Sequence, residues 1–313
     1  MSVDGFDINK VLLGNQVYLN SSKEENYDRV IDVLLCTDEN YVSHMAVTMA
    51  SVLVNLSPST YVRFHIMSAN INELIKKKLS KLKELRSFDI FYYDISNYKM
   101  DNFPLNREHI TVASYYRLLV CDILPENISK ILYLDCDMVV EEDLTELWNI
   151  DIGNNYVAVA EDEASGIHMT KGKIKYQDFY FNSGVILFDL NLLRSFHLFA
   201  KCVDYFEKNE KSIVAQDQDI LNGVLDGKCY KLPLRWNVAT PYYLFDNWQL
   251  TCPAEDRWEA IYNPAILHYT YVPKPWQKEC VHPLKKEYFK YLALTPFAAK
   301  NSSFLGSIEF FYK

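Results

Sequence analysis

Two aspartates one residue apart, Asp135 and Asp137, follow the apolar run Ile131–Leu134. In extended chain the side chains alternate, so both carboxylates face one side and Cys136 faces the other. Like charges held a few ångströms apart repel, which raises a pKa unless a cation lies between them. Hard oxygen ligands of this kind suit Mn²⁺ or Mg²⁺. The plain alternative is a turn carrying two solvated aspartates. The buried strand ahead of the pair argues for a site, because ligands of open α/β sheets bind beyond the carboxyl ends of strands.

His268, in Ala265-Ile-Leu-His-Tyr-Thr270, closes a second apolar run. Read alone it is a core histidine. Beside an Asp-x-Asp pair it becomes the third ligand to seek, since Mn²⁺ accepts imidazole as well as carboxylate. Lys274, in Lys274-Pro-Trp276, is a solvated lysine or a phosphate partner. Gln216-Asp-Gln-Asp-Ile-Leu-Asn222 opens a helix; Asp217 is expected as its cap or as part of a polar cluster aimed at a sugar ring. Asn182, in Phe181–Asp189, is expected just before a buried strand. The chain has 9 glycines and neither G-x-G-x-x-G nor G-x-x-x-x-G-K-[ST], so phosphates would be held by a metal and side chains. G-x-S-x-G and H-E-x-x-H are absent as well.

The elements that must position these groups follow from periodicity. Val30–Cys36 reads as a buried strand ended by Thr37–Asn40, and Tyr41–Leu56 as a helix stopped at Ser57-Pro58. Val62–Met67 is a second strand. Ile71, Leu74, Ile75, Leu79, Leu82 and Leu85 mark a helix, and Phe88–Tyr93 is a third strand. Strands alternating with helices predict βαβ units and a mostly parallel sheet. Residues 94–112 read as a long loop, and Ala113–Cys121 as helical. Strands are expected at Ile131–Leu134, Tyr156–Ala160 and Gly184–Phe188, and helices at Phe196–Lys208 and Asp217–Leu225. The organisation expected is a polar arm over 1–29, one α/β catalytic domain over 30–280, and a small helical, aromatic appendage over 281–313.

Composition narrows the function. The 313 residues are 49% hydrophobic and 23% charged, an ordinary globular balance. A net charge of −9 excludes a broad nucleic-acid surface. Seven cysteines without a C-x-x-C pair argue against a disulfide framework or a zinc knuckle and point to a reducing, cytoplasmic compartment. Met1–Lys10 lacks the apolar core of a signal peptide, and no run approaches the roughly 18 apolar residues of a membrane span. The tail, with Lys285-Lys286 and Phe310-Phe311-Tyr312, is basic and aromatic. That composition suits peripheral docking on an anionic membrane or an ordinary packed helix.

Six segments occur together in order: Leu35–Tyr41, Thr111–Arg117, Ile131–Val139, Phe181–Val185, Asp217–Asn222 and His268–Trp276. In this combination the chain resembles family 8 of the retaining glycosyltransferases, and within it the bacterial lipooligosaccharide α-galactosyltransferases, over roughly residues 30–280. The resemblance implies a GT-A fold. It implies a Mn²⁺-dependent transfer of hexose from UDP-galactose or UDP-glucose to a glycan acceptor, with retention. Asp135, Asp137 and His268 would bind the metal. Asp38 and Asn40 would hold uridine, Tyr41 would stack on uracil, and Cys36, Thr37 and Cys136 would border the nucleotide. Arg117, Asp162, Asn182, Asp217 and Gln218 would line the sugar pocket, with Asp217, Asp162 and Gln218 nearest the chemistry. Lys274 would contact pyrophosphate, and Asn106–Thr111 and Thr270–Pro275 would close over the donor. Three positions depart from the family pattern: Glu39 replaces a common second aspartate, Cys136 stands between the metal aspartates where isoleucine or valine is common, and Tyr271 stands where a small residue is frequent. The acceptor would be an oligosaccharide, lipid-linked or protein-linked glycan. Two other classes are a non-catalytic nucleotide-sugar or glycan binder, and a self-glucosylating protein of the glycogenin type, which needs a tyrosine at its own site.

Overall fold

The computed structural model describes residues 27–98, 100, 103, 105, 111–167, 176–244 and 252–298. Nearly all of the 1–29 arm, the loop residues 106–110, and the tail from 299 onward, including Phe304 and Phe310–Tyr312, lie outside the described residues.

The apolar run Arg29–Cys36 forms β1, and its two faces feed two cores. Ile31, Val33 and Leu35 pack on one side of the sheet, Leu34 and Cys36 on the other. Such double burial is what a continuous apolar run means in a parallel sheet. β2 (Thr60–Ser68) and β3 (Asp89–Asp94) add in parallel on one flank. β4 (Lys130–Leu134) adds in parallel on the other. β5 is Met138–Val140, β6 Val157–Glu161, β7 Phe181–Asp189 and β8 Cys229–Leu232. The large sheet has seven strands in the order β3-β2-β1-β4-β7-β6-β8. β7 is antiparallel to both of its neighbours, and every other pairing is parallel. The order reverses between β1 and β4, which makes their carboxyl ends the switch point where a crevice opens.

A small sheet, β5 with β9 (Val238–Ala239) and β10 (Ile266–His268), sits beside this edge. Helix α1 (Val42–Asn55) is buried along most of its length and packs on β5. α2 (Glu73–Ser80) starts at an Asn72 side-chain cap. The Ile71–Leu85 stripe then tightens into a 3₁₀ turn at Lys81–Glu84.

Several elements differ from expectation. The helical stretch expected over Ala113–Cys121 is present, as a 3₁₀ helix over Val112–Leu119 followed by one α turn, Val120–Ile123. The helix expected over Phe196–Lys208 is α4 (Leu198–Asn209), and an unanticipated α3 (Leu190–Phe196) precedes it, separated by left-handed His197 with φ 57°. α5 is Gln216–Leu225 and α6 is Ala254–Tyr262. β7 begins at Phe181, so Asn182 lies inside the strand, not ahead of it.

In the appendage, α7 (Lys285–Leu292) is a packed helix. Tyr288 and Tyr291 are buried in the core beside α1. Tyr288 Oη lies 2.6 Å from His44 Nδ1, and Asn55 Nδ2 donates to Tyr291 Oη at 2.7 Å. All seven cysteines are free thiols. No helix among the described residues is long and apolar enough to cross a membrane.

Candidate active site and metal centre

Asp135 leaves the end of β4, held there by its backbone N–H donating to Gly184 O of β7 at 2.9 Å. Asp137 follows, and its carbonyl accepts from Tyr269 N–H at 3.0 Å, which ties the turn to the chain just after β10. Cys136 points the other way, into the core, with its thiol donating to Cys36 O at 3.1 Å. The alternation expected of extended chain therefore holds.

His268 closes β10 and is 4% exposed. Its Nε2 lies 3.5 Å from Asp135 Oδ2 and 3.4 Å from Asp137 Oδ1. Ligand atoms of the three residues fall within 4.8 Å of one another. Each aspartate offers one oxygen to this point and gives the other to a cation. Asp135 Oδ1 accepts from Arg117 Nη2 at 2.8 Å and from Tyr133 Oη at 2.5 Å. Asp137 Oδ2 accepts from Lys274 Nζ at 2.6 Å. Burial alone would raise the Asp137 pKa, but Lys274 and His268 outweigh it and hold the carboxyl below the usual carboxylate range. Two carboxylates and an imidazole form a donor set that fits a divalent ion such as Mn²⁺.

Buried Arg117 knits the floor. Its Nε donates to Ser114 O at 2.9 Å and lies 3.3 Å from Asp217 Oδ2, and its Nη1 donates to Ser183 O at 2.6 Å. The guanidinium lies 4.3 Å over the Tyr133 ring. Asp217 is thus no helix cap: α5 has no side-chain cap at Ala215, and Asp219 takes that work by accepting from the N–H groups of Val214 and Ala215 at 2.7 and 2.8 Å. Burial lifts the Asp217 pKa to about 6, with Arg117 opposing the rise and Asp135 adding to it. Gln216 beside it holds φ at 46°, a left-handed conformation costing a non-glycine residue roughly 1–3 kcal/mol.

On the far wall, Asp162 Oδ2 accepts from Gln218 Nε2 at 3.1 Å and from Asn182 Nδ2 at 3.4 Å, and its Oδ1 accepts from Ala164 N–H at 2.9 Å. Gln218 Oε1 accepts from Ser183 N–H at 3.0 Å. Both ends of the Gln218 amide are therefore engaged.

These groups surround one cavity of about 380 Å³. Cys36, Thr37, Asp38, Tyr41, Arg117, Asp135, Cys136, Asp137, Asp162, Asn182, Asp217, Gln218, His268, Tyr271 and Lys274 all line it. Asn40 does not; it is exposed outside the walls, and its backbone N–H donates to Asp38 Oδ1 at 2.9 Å. Tyr271 stands at the mouth, 46% exposed. Trp276 stacks on His44 with ring centroids 3.5 Å apart, anchoring the segment that carries Lys274.

Sequence reasoning missed Tyr133, Ser183 and Asn237. The first two lie inside the quoted motifs, where their pairing to Asp135 and Gln218 depends on the sheet. Asn237 behind His268 carries no local signal at all.

Comparison with known proteins accords with this geometry. The family model described as "Glycosyl transferase family 8" matches residues 32–280. General stress protein A of Bacillus subtilis (strain 168) is 30% identical over 86% of this chain and 95% of its own length. Lipopolysaccharide 1,2-glucosyltransferase of Escherichia coli (strain K12) is 26% identical over 84% of this chain and 78% of its own. Among solved structures, the galactosyltransferase LgtC in complex with donor and acceptor sugar analogs superposes with a TM-score of 0.75 at 27% identity, covering 88% of this chain and 99% of that one. A reversed strand in an otherwise parallel sheet, an Asp-x-Asp turn at the switch point and these matches agree: the chain has the GT-A fold and belongs to glycosyl transferase family 8.

Proposed function

We propose that the protein is a Mn²⁺-dependent, retaining hexosyltransferase. It moves galactose or glucose from a UDP-sugar, with an α-linkage, to a hydroxyl of a bacterial surface glycan. The observation that carries this reading is the Asp135, Asp137 and His268 set, which faces the cavity between β1 and β4. A glycan or nucleotide-sugar binder without turnover needs no such converged set. The relatives' names support a hexose donor: one is named a glucosyltransferase and another a galactosyltransferase. Galactose is the first choice of donor, and a lipid-linked or protein-linked oligosaccharide the acceptor. The work would take place at the cytoplasmic face of the membrane.

Bound at the three ligands, Mn²⁺ or Mg²⁺ supplies Lewis-acid stabilisation of charge developing on the leaving diphosphate. The chain's own groups do the rest. Lys274, buried against Asp137, offers a second positive charge beside the pyrophosphate. Asp38 and Tyr41 border the nucleotide end; Arg117, Asp162, Asn182, Asp217 and Gln218 border the sugar. A double displacement needs a free nucleophile under the anomeric carbon. Gln218 is engaged at both ends, and Asp217 is turned to Arg117 and Ser183. That engagement favours attack from the leaving-group side, with a departing phosphate oxygen taking the acceptor proton.

Thermal unfolding with UDP, UDP-galactose, UDP-glucose and UDP-N-acetylglucosamine, each with Mn²⁺ or with EDTA, tests the donor class. A ligand at about 100 times its Kd stabilises by roughly 2.7 kcal/mol, a shift of several degrees. Mn²⁺-dependent stabilisation by a UDP-hexose is the expected result, and none with any UDP-sugar refutes the reading.

A second reading has one observation behind it. Tyr271 is an exposed tyrosine on the cavity itself, as self-glucosylation requires. A mass increase of one hexose on the Tyr271 peptide after incubation with UDP-glucose would establish it.

A further inference from the structure

Behind His268 lies a run of amides whose polarity is fixed at one end by the backbone. The N–H of Gly184, in the middle of β7, donates to Asn182 Oδ1 at 3.0 Å. That bond decides which end of the Asn182 amide is oxygen, since a backbone N–H can only donate. The same Oδ1 receives Asn237 Nδ2 at 3.0 Å. With its nitrogen committed there, Asn237 turns Oδ1 to His268 Nδ1, 2.8 Å away. An amide oxygen only accepts, so Nδ1 must carry a hydrogen. With Nδ1 committed to Asn237, Nε2 is the ring nitrogen that faces Asp135 Oδ2 and Asp137 Oδ1, at 3.5 and 3.4 Å. The other tautomer would set Asn237 Oδ1 against Asn182 Oδ1, and Gly184 forbids the compensating flip of Asn182.

All three side chains are buried: Asn182 is 8%, Asn237 1% and His268 4% exposed. Solvent therefore offers no easy replacement partner, and an unpaired buried polar group costs about 1–3 kcal/mol. The geometry points to Asn237, backed by Asn182, as a positioning residue that commits His268 to ligation through Nε2. This inference rests on the metal reading above. Metal-ligating histidines are commonly oriented in this manner through their second nitrogen, and losing such a partner weakens metal binding by roughly 10–100-fold.

The test uses the full chain and two metal probes. Mn²⁺ affinity is measured by electron paramagnetic resonance of the free ion, with saturating UDP present. Asn237→Ala is expected to weaken Mn²⁺ about 10–100-fold. Asn182→Ala, which releases Asn237 to flip, is expected to weaken it by a smaller factor. The nitrogen resonances of ¹⁵N-histidine protein loaded with Cd²⁺ report the ligating atom directly. The wild type is expected to show Nε2 bound and Nδ1 protonated, whereas a general loosening of the fold would not move this signature selectively. Asn237→Ala binding Mn²⁺ within threefold of wild type overturns the proposal. So does a wild-type His268 that ligates through Nδ1, which needs no variant to fold. A wild type that binds no Mn²⁺ would instead refute the metal reading itself.

Discussion

Gly184→Ala is the sharpest perturbation of the centre that leaves every ligand in place. A Cβ built on Gly184 would lie 2.3 Å from His268 Cε1, 2.7 Å from its Nδ1 and 2.8 Å from Met138 Cε. Carbon atoms in good contact sit about 3.5–4.0 Å apart, so the ring would have to retreat by roughly 1.2 Å or more. It has nowhere easy to go. Nδ1 is held by Asn237 at 2.8 Å, and the ring sits in a buried strand end. Overpacking of this kind costs about 1–3 kcal/mol, a fall of several degrees in unfolding midpoint for a chain this size. The effect on the metal is larger, because ligand distances must hold within about 0.2 Å. Loss of one ligand should exceed the roughly 10–100-fold penalty of disturbing its orienting partner.

The expected result is therefore a folded protein whose Mn²⁺ affinity, titrated by electron paramagnetic resonance with UDP, falls by more than about 100-fold. Turnover at fixed Mn²⁺ should fall with it and recover partly at high Mn²⁺. Wild-type affinity together with wild-type turnover in Gly184→Ala would refute the argument that His268 needs this close backbone approach.

Other outcomes follow from the same contacts. Asp137→Asn leaves Lys274 without its carboxylate and should remove Mn²⁺-dependent turnover while circular dichroism stays native; near-wild-type rate with Mn²⁺ would show that Asp137 is no ligand. Gln218→Ala and Asp162→Ala should change the ratio of kcat/KM for UDP-galactose and UDP-glucose more than they change UDP affinity; an equal loss of UDP binding would put both residues at the nucleotide. His44 is held at a pKa of about 4, below the ordinary 6.5, by burial against Trp276 and Tyr288. The unfolded chain then binds more protons between pH 6.5 and 4, so stability rises with pH across that window. The contribution is full above pH 6.5 and is lost as pH falls toward 4, by up to about 3 kcal/mol. His44→Asn should flatten the slope of urea-unfolding stability over that window, with buried His282, also near 4, supplying much of what remains. An unchanged slope would show that burial does not shift the His44 pKa.

The legible part of the molecule was the part written in runs. β1, β2, β3 and β4 are short apolar stretches bounded by turn residues, and their ends fell within a residue or two of expectation. The Asp135 and Asp137 pair was legible because alternation in extended chain is a local rule. His268 was legible only beside that pair. Asp217 misled the capping rule because a buried guanidinium needs counter-charge more than a helix start needs one cap. Arg117 takes Asp217, and Asp219 reaches back to the free N–H groups. Val112–Leu119 was legible as helical but not as 3₁₀, because both kinds of helix bury an apolar face with periods of three to four residues. Asn237 was illegible for a simpler reason: its partners are 31 and 55 residues away, and nothing in its neighbours anticipates them.

The reversed strand explains why so much of the centre can be built on regular structure. In a wholly parallel sheet only strand ends and the loops after them reach the ligand edge. Because β7 runs against β4 and β6, its first residues arrive at that edge instead of its last. Asn182, Ser183 and Gly184 therefore stand in the site as strand residues, with backbone groups aimed by the ladder. Gly184 uses its carbonyl to fix the Asp135 backbone and its N–H to fix Asn182. Its missing side chain makes room for His268. One strand position thus places two of the three proposed ligand residues through different atoms, and neither placement survives moving it. Lys274 reaches the same centre from the segment after β10, which Trp276 pins on His44 of α1, and Tyr288 of α7 bonds that histidine from behind. The appendage helix is in this way a support for the lysine side of the site, not a separate module resting beside it.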